Sequence, residues 1–237
     1  MVDGLGAAEG GPEGGSGRFA AALRDLASCN EVDGTLQLAV ELATELVGGC
    51  DIADIMFIRA RGVTTPVSTD PLAIELDKIQ EATDEGPCLQ AGHDQVTVVA
   101  ADLGSDPRWP AFGPDAAERG IRSALSFPLF LHRTDDDRFG VLNLYSRETD
   151  AFDAQAVERG EVFAAQCAAA LAAAIAREGL QSALESRDVI GQAKGILMQR
   201  HRWSALEALD RIREVSQRDN VKLRDVARHV AETGELP

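Results

Sequence analysis

Residues 123–146 read SALSFPLFLHRTDDDRFGVLNLYS, and this stretch decides how the first two thirds of the chain fold. Ser123–His132 and Phe139–Ser146 are rich in Leu, Phe and Val, side chains that fit a pleated, half-buried surface. Between them Arg133–Arg138 is polar and carries three consecutive aspartates. Two apolar runs around a polar turn predict an antiparallel hairpin.

Working toward the N-terminus, a loop at Asp106–Pro110 leads into a short helix ending near Arg119–Gly120. Gln95–Ala100 reads as a short strand, set off by a glycine–proline break at Gly86–Pro87 that opens the segment 86–94. Pro71–Thr83 has Leu72, Leu76 and Ile79 at helical spacing, while Asp51–Arg59 (DIADIMFIR) and Val63–Thr69 are predicted strands. Before them, Phe19, Leu23 and Leu26, then Leu36, Val40, Leu42, Leu46 and Val47, predict two helices. Helices alternating with antiparallel strands imply an α+β domain over about 18–150. Residues 1–17 (MVDGLGAAEGGPEGGSG) are expected to be a disordered leader, with acids and glycines where a signal peptide needs a basic and then an apolar region.

Toward the C-terminus the strand signals stop at Phe152. Residues 153–200 contain no proline, so one helix of unusual length is expected, with Gly160, Gly179, Gly191 and Gly195 as its weak points. Its Leu171, Ile175, Leu180 and Leu184 are expected to lie exposed and to be covered by a second copy in a homodimer. Ser204–Glu207 is a capping-box sequence opening a helix with Ala208, Leu209, Ile212 and Val215 inward. Lys222–Ala231 supplies a last helix with Leu223, Val226, Ala227 and Val230 inward. Residues 179–237 are therefore expected to end the chain in an all-α three-helix bundle.

The whole chain carries 23 Lys and Arg against 39 Asp and Glu, a formal net charge of -16 that argues against a polyphosphate partner. Division of the chain changes that. Residues 1–186 hold 13 basic and 31 acidic side chains, whereas residues 187–237 hold 10 basic and 8 acidic ones. Lys194 and Arg200 fall on the first helix of the bundle, Arg213 on the second, and Lys222 and Arg224 at the start of the third. If the bundle brings them together they form a compact cationic surface, and small Ala193 and Gly195 beside Lys194 leave room for a nucleobase or backbone. An ordinary solvated helical face is the other reading of the same charges.

Chemistry elsewhere is sparse. The four cysteines lie at 29, 50, 88 and 167 with no CxxC pair and no clustered histidine, so no metal site and reduced cytoplasmic thiols are expected. Neither a GxSxG elbow nor a phosphate-binding P-loop is present; no catalytic residue is assigned and no enzyme is expected. The longest apolar run, Phe163–Ala176, is interrupted by Gln166 and falls short of the roughly 18 residues of a membrane span. Cys88, beside Gly86–Pro87, reads either as a ligand-contacting or redox-sensitive thiol or as a small buried residue in a turn. His93, Trp109 and Tyr145 suit the lining of a pocket and equally core or rim packing.

Residues 186–227, SRDVIGQAKGILMQRHRWSALEALDRIREVSQRDNVKLRDVA, resemble the ANTAR family of RNA-binding transcription antiterminators. The likeness rests on Ser186–Arg187, Ile190, Gln192–Gly195, Leu197–Met198, Ala208, Arg213, Ser216–Gln217, Asn220, Lys222–Leu223 and Val226–Ala227. Trp203 departs from it where a small residue is usual, and Leu206 where an acid is common. Residues 18–178 resemble a GAF domain of the kind that precedes ANTAR in actinobacterial regulators, through Thr83–Gln90, Asp106–Pro110, Arg122–Pro128, Leu142–Ser146 and the helix after Phe152. The resemblance implies a GAF sensor, with an unknown small molecule in its pocket, controlling an ANTAR output that binds paired stem-loops in a nascent transcript, through Lys194, Arg200, Arg213, Lys222 and Arg224. Two alternatives stay open on the residues alone: a DNA-binding helix-turn-helix regulator, and a ligand-binding dimer that touches no nucleic acid. Against the first, the final helix turns Val226, Ala227 and Val230 inward like bundle core.

Overall fold

The computed structural model describes residues 12–59, 62–129 and 139–237, with side chains from residue 17 onward except at Phe139. They divide into two compact units, one ending at Ile175 and the other beginning at Ala176.

The first unit is built on a five-stranded antiparallel sheet of β1 (Ile52–Arg59), β2 (Gly62–Ser68), β3 (Val98–Ala100), β4 (Ser123–Leu129) and β5 (Phe139–Ser146), in the order β2-β1-β5-β4-β3. The expected hairpin strands pair from Ser123↔Ser146 to Leu129↔Gly140; their connecting turn lies outside the described residues. Period-two alternation sends Ala53, Ile55, Leu125, Phe127, Leu142 and Leu144 to one face. There they meet α1 (Pro12–Ser28), α2 (Val32–Leu46) and the first part of α6 (Ala154–His201) through Leu26, Leu36, Val40, Phe163 and Leu171. The opposite face carries Ile52, Met56, Ile58, Ala124, Val141 and Tyr145 under α3 (Pro71–Thr83), α4 (Pro87–Asp94) and α5 (Phe112–Glu118). Because both faces are covered, β1 is buried at nearly every position.

Local chemistry sets the helix ends. Leu72 N–H donates to the Asp70 carboxylate at 2.8 Å, Pro71 occupies the first helical position, and α3 stops at Asp84 in the left-handed region, φ 54. Gly160 matters differently: a Cβ there would collide with the Phe127 ring, so the missing side chain lets α6 lie against the sheet.

Some expectations need correction. The segment 86–94 is helix α4, started by Pro87, and the following strand shrinks to Val98–Ala100. Helix α1 already begins at Pro12, inside the expected leader; residues 1–11 lie outside the described residues. Leu171 is buried and Ile175 packs against the same core, so neither is exposed on α6; Leu180 and Leu184, at 69% and 62% exposure, are. By length and composition one 18-residue window of α6 is apolar enough to cross a membrane, with mean hydropathy 1.2, contrary to the expectation from Phe163–Ala176. Alanines supply most of that value, and 44% of the window is buried in the protein.

The second unit contains the rest of α6, α7 (Ala205–Asp219) and α8 (Leu223–Thr233) around Ala193, Leu197, Ala208, Ile212, Val215, Val226, Ala227 and Val230. The capping box is complete: Glu207 N–H donates to Ser204 Oγ at 3.2 Å and Ser204 N–H to Glu207 Oε2 at 2.7 Å. Helix α7 ends at Asn220 and α8 at Gly234, both left-handed. Ala193 belongs to this core, which removes it from the surface beside Lys194; Gly195 has open space around it.

Candidate functional site

In the bundle the five predicted cations do not form one patch. Arg224 Nη1 donates to Ser182 Oγ at 3.3 Å, whereas Arg200 donates to Gly234 O at 3.2 Å and pairs with Glu235 at 2.6 Å. Ser182 and Arg200 are separated by about 27 Å along α6 at 1.5 Å per residue. Arg224 and Lys222 therefore sit at one end of the bundle and Arg200 at the other, contrary to a compact surface. Arg213 pairs with Asp210 at 3.2 Å and Arg224 with Asp225 at 3.7 Å. Such exposed pairs are worth about 0–1 kcal/mol, so a phosphate can displace the carboxylate at small cost. Lys194 and Lys222 make no ion pair among the described residues. Lys222 stands at the N-cap of α8, where no side chain caps the first amides.

In the sheet unit, sequence reasoning missed a buried polar row. Asp54 of β1 faces Asn143 of β5, which faces Ser126 of β4, all three fully buried under α3 and α4. Ser126 Oγ donates to Asn143 Oδ1 at 2.8 Å, and Asn143 Nδ2 donates to Asp54 Oδ1 at 2.9 Å and to Cys88 Sγ at 3.0 Å. A second cluster adjoins it: Gln80 Nε2 lies 3.2 Å from both Asp77 Oδ1 and Tyr145 OH, and Thr65 Oγ1 donates to Asp77 Oδ2 at 2.5 Å. Cys88 N–H closes the loop on Gln80 Oε1 at 2.9 Å. Gly86, at φ 133, is required here because a Cβ would run into the Gln80 side chain.

Burial without a cation pushes the Asp54 carboxyl well above the usual range; the Asp77 charge adds to this and the Asn143 bond opposes it. Its Oδ2 has no hydrogen-bond partner among the described residues, so a protonated carboxyl fits the site better than a carboxylate. Asp77 is pushed up to about 6, also by burial, against the bonds from Thr65, Tyr145 and Gln80. Burial first, then Asp77 and Asp54, raises the Cys88 thiol. Cys88 is thus an acceptor inside a packed network and lacks the exposed, low-pKa character of a redox-sensing thiol.

Tyr145 is buried in that network as well. His93 and Trp109 instead border an open cleft of about 420 Å³ together with Asp84, Glu85, Gln90 and Arg108. His93 is exposed, while Trp109 is 4% exposed with Arg108 stacked 4.2 Å above its ring. The four candidates therefore separate into Cys88 and Tyr145 inside the polar network, Trp109 buried under Arg108 at the floor of the cleft, and His93 alone exposed at its rim. Among the described residues no group of three His, Cys, Asp or Glu could hold a metal ion.

The chain thus joins an α+β unit with a buried polar row on one sheet face to a three-helix unit whose exposed cations are spread over both of its ends. Residues 29–172 match the GAF domain model and residues 178–230 the ANTAR domain model. The first match covers more than half of the sequence: this chain belongs to the GAF family, and an ANTAR domain follows its GAF domain. No curated protein matches the chain.

Solved structures agree on the fold. The GAF domain of a phosphoenolpyruvate-protein phosphotransferase from Coxiella burnetii is 16% identical, with 70% of this chain and 96% of that one covered at a TM-score of 0.53. The N-acylhomoserine lactone-dependent LuxR-family transcription factor CepR2 from Burkholderia cenocepacia is 21% identical over 68% of this chain and 99% of that one, TM-score 0.52. A bacteriophytochrome from R. palustris is 12% identical over 86% and 47%, TM-score 0.59. At these identities the likeness concerns the fold alone.

Proposed function

We propose that this chain is a cytoplasmic transcription antiterminator of the actinobacterial GAF–ANTAR type. Residues 179–237 bind paired stem-loops in a nascent transcript, and residues 18–178 sense a small molecule. The observation that carries this reading is the ANTAR match over 178–230, a segment whose basic side chains outnumber its acidic ones although the chain as a whole is strongly acidic. Lys194 and Lys222 are the leading phosphate contacts, because no acid pairs with them among the described residues. Arg200, Arg213 and Arg224 contribute by exchanging carboxylates for phosphates. Loop bases, unstacked in a hairpin, offer the sequence-specific contacts.

A homodimer accompanies this activity: Leu180 and Leu184 stand exposed one turn apart on α6, as a helix seam between two copies requires. Helix α6 carries no proline and is continuous from Ala154 to His201, which supports a mechanical link from sensor to output. The test is an electrophoretic shift of the full chain with tandem-hairpin RNA and with duplex DNA, alongside sedimentation. Hairpin-selective binding by a dimer supports the proposal. Equal or stronger binding of duplex DNA favours the helix-turn-helix regulator instead, and absence of binding to both leaves a ligand-binding module.

A further inference from the structure

A ring cluster at the junction of α6 and α7 has no part in the phosphate contacts just described. His201, the last residue of α6, stacks on Trp203 with ring centroids 4.3 Å apart and planes inclined by 18°. The Arg211 guanidinium of α7 lies 5.8 Å from the indole centroid. The backbone carrying these rings is held on both sides. Arg202, between them, is left-handed at φ 54, and Ser204 immediately afterwards caps α7 in the complete capping box. Trp203 is half-buried against the bundle core, while His201 and Arg202 are exposed.

Along the sequence the charge leading up to the rings is one-sided as far as Glu207, whose carboxylate accepts from Ser204 N–H. From Val189 to Leu206 the chain has no acidic residue and carries Lys194, Arg200 and Arg202, in a protein of net charge -16. Arg202 makes no ion pair among the described residues, unlike Arg200 and Arg211, which meet Glu235 and Glu214. Parallel rings, a guanidinium beside the indole and an unpaired cation between them are the parts of a platform for an unstacked base and its phosphate.

We propose that His201 and Trp203 form a stacking platform for an unpaired nucleobase of the bound RNA, with Arg202 placed for the adjoining phosphate. This rests on the RNA-binding reading above. It deepens it by assigning a second contact, at the end of the bundle remote from Lys222 and Arg224. The RNA is then held at two points on one small domain, by charge at the α8 start and by stacking at the α6–α7 junction. The aromatic at 203 is a departure from the ANTAR pattern, so the platform is a property of this chain's own sequence.

The experiment uses the full chain and synthetic RNA hairpins with randomised loops, at one fixed pH throughout. A blunt RNA duplex of equal length and a single-stranded DNA oligonucleotide serve as comparison ligands. Stacking predicts that hairpin RNA quenches tryptophan fluorescence, that the quenching disappears in Trp203→Phe or moves with the altered ring, and that blunt duplex quenches little. His201→Ala leaves the bundle core untouched and should weaken hairpin binding by about 5- to 150-fold, with an unchanged salt slope because no counterion is displaced by a base. Trp203→Phe, which retains a ring, should bind within a few-fold of wild type. Hairpin binding by His201→Ala equal to wild type, or quenching by blunt duplex as strong as by hairpin, overturns the platform while the RNA-binding reading stands. Stronger binding of the DNA strand than of hairpin RNA overturns the choice of RNA. A wild-type chain that binds none of the RNAs overturns both.

Discussion

The GAF unit buries Asp54, Asp77, Gln80 and Asn143 beneath two helices, whereas the ANTAR bundle buries only Ala, Leu, Ile and Val and carries its charges at or near the surface. The difference lies in what each interior answers to. A network with two acids and no cation responds to protons and to anything that changes hydrogen bonding inside it. A dry bundle has no such interior lever, and its surface cations, mostly in exposed ion pairs, answer to salt and to a competing anion. In a chain that joins a sensor to an output, these are the two sensitivities the two parts need.

The comparison can be broken first at the bundle core. Leu197 is fully buried, so Leu197→Ala should cost about 2–5 kcal/mol and unfold the bundle selectively. Denaturant unfolding followed by circular dichroism measures it, and a loss below about 1 kcal/mol contradicts a close-packed apolar interior.

The next effect is of a few kcal/mol and runs with pH. Asp77 is raised to about 6 in the folded GAF unit and Asp54 is raised as well, above an unfolded value near 3.9. Between these values the folded state binds protons that the unfolded state has released, so GAF stability falls as pH rises from about 4 through 6. In the bundle, Glu207 and Asp219 are shifted down, by the Ser204 cap and by Arg218, so their contributions are lost in the opposite direction, on acidification below about 4. Urea midpoints between pH 4 and 8 should show the GAF transition declining, and Asp77→Asn should flatten it. An unchanged slope in that variant sinks the account of the network.

Smaller still, Ser204→Ala removes one acceptor of the capping box and should cost about 1 kcal/mol, read as a lower thermal midpoint of the bundle. Smallest is Arg211→Gln: its pair with Glu214 is exposed, and the change in stability should stay within about 0.5 kcal/mol. A larger loss there would show that Arg211, through Glu214 or the Trp203 ring, helps to hold the bundle together.

Much of this was legible in the residues because it is local. The hairpin at 123–146, the proline at the start of α3, the capping box at Ser204 and the inward stripe of α8 each follow from spacing within a few positions. The polar network was not, since Gln80 meets Tyr145 across 65 positions and Asn143 meets Cys88 across 55. One local signal did exist: Asp54 is a lone carboxylate in the middle of IADIMFIR, a run otherwise nearly all apolar, and a strand covered on both faces has nowhere to expose it. Leu171 and Ile175 misled for a related reason. Helical periodicity shows which residues share a face and cannot tell a sheet of the same chain from a second copy. Arg200 was drawn toward Lys222 by their common charge, but its partner is Glu235, 35 positions away at the end of the chain.

The central claim is that the bundle holds RNA by cations from all three of its helices, and the salt dependence of hairpin binding tests it most directly. Affinity of tandem-hairpin RNA is measured from low to moderate salt for the wild-type chain and for a variant with Lys194, Arg213 and Lys222 all replaced by Ala. With each residue neutralising one phosphate, the slope of log affinity against log salt should shrink by roughly 0.7–0.9 per cation removed, about 2 to 3 in all, with weaker binding throughout. An unchanged affinity and slope, with circular dichroism showing the bundle intact, would contradict the account.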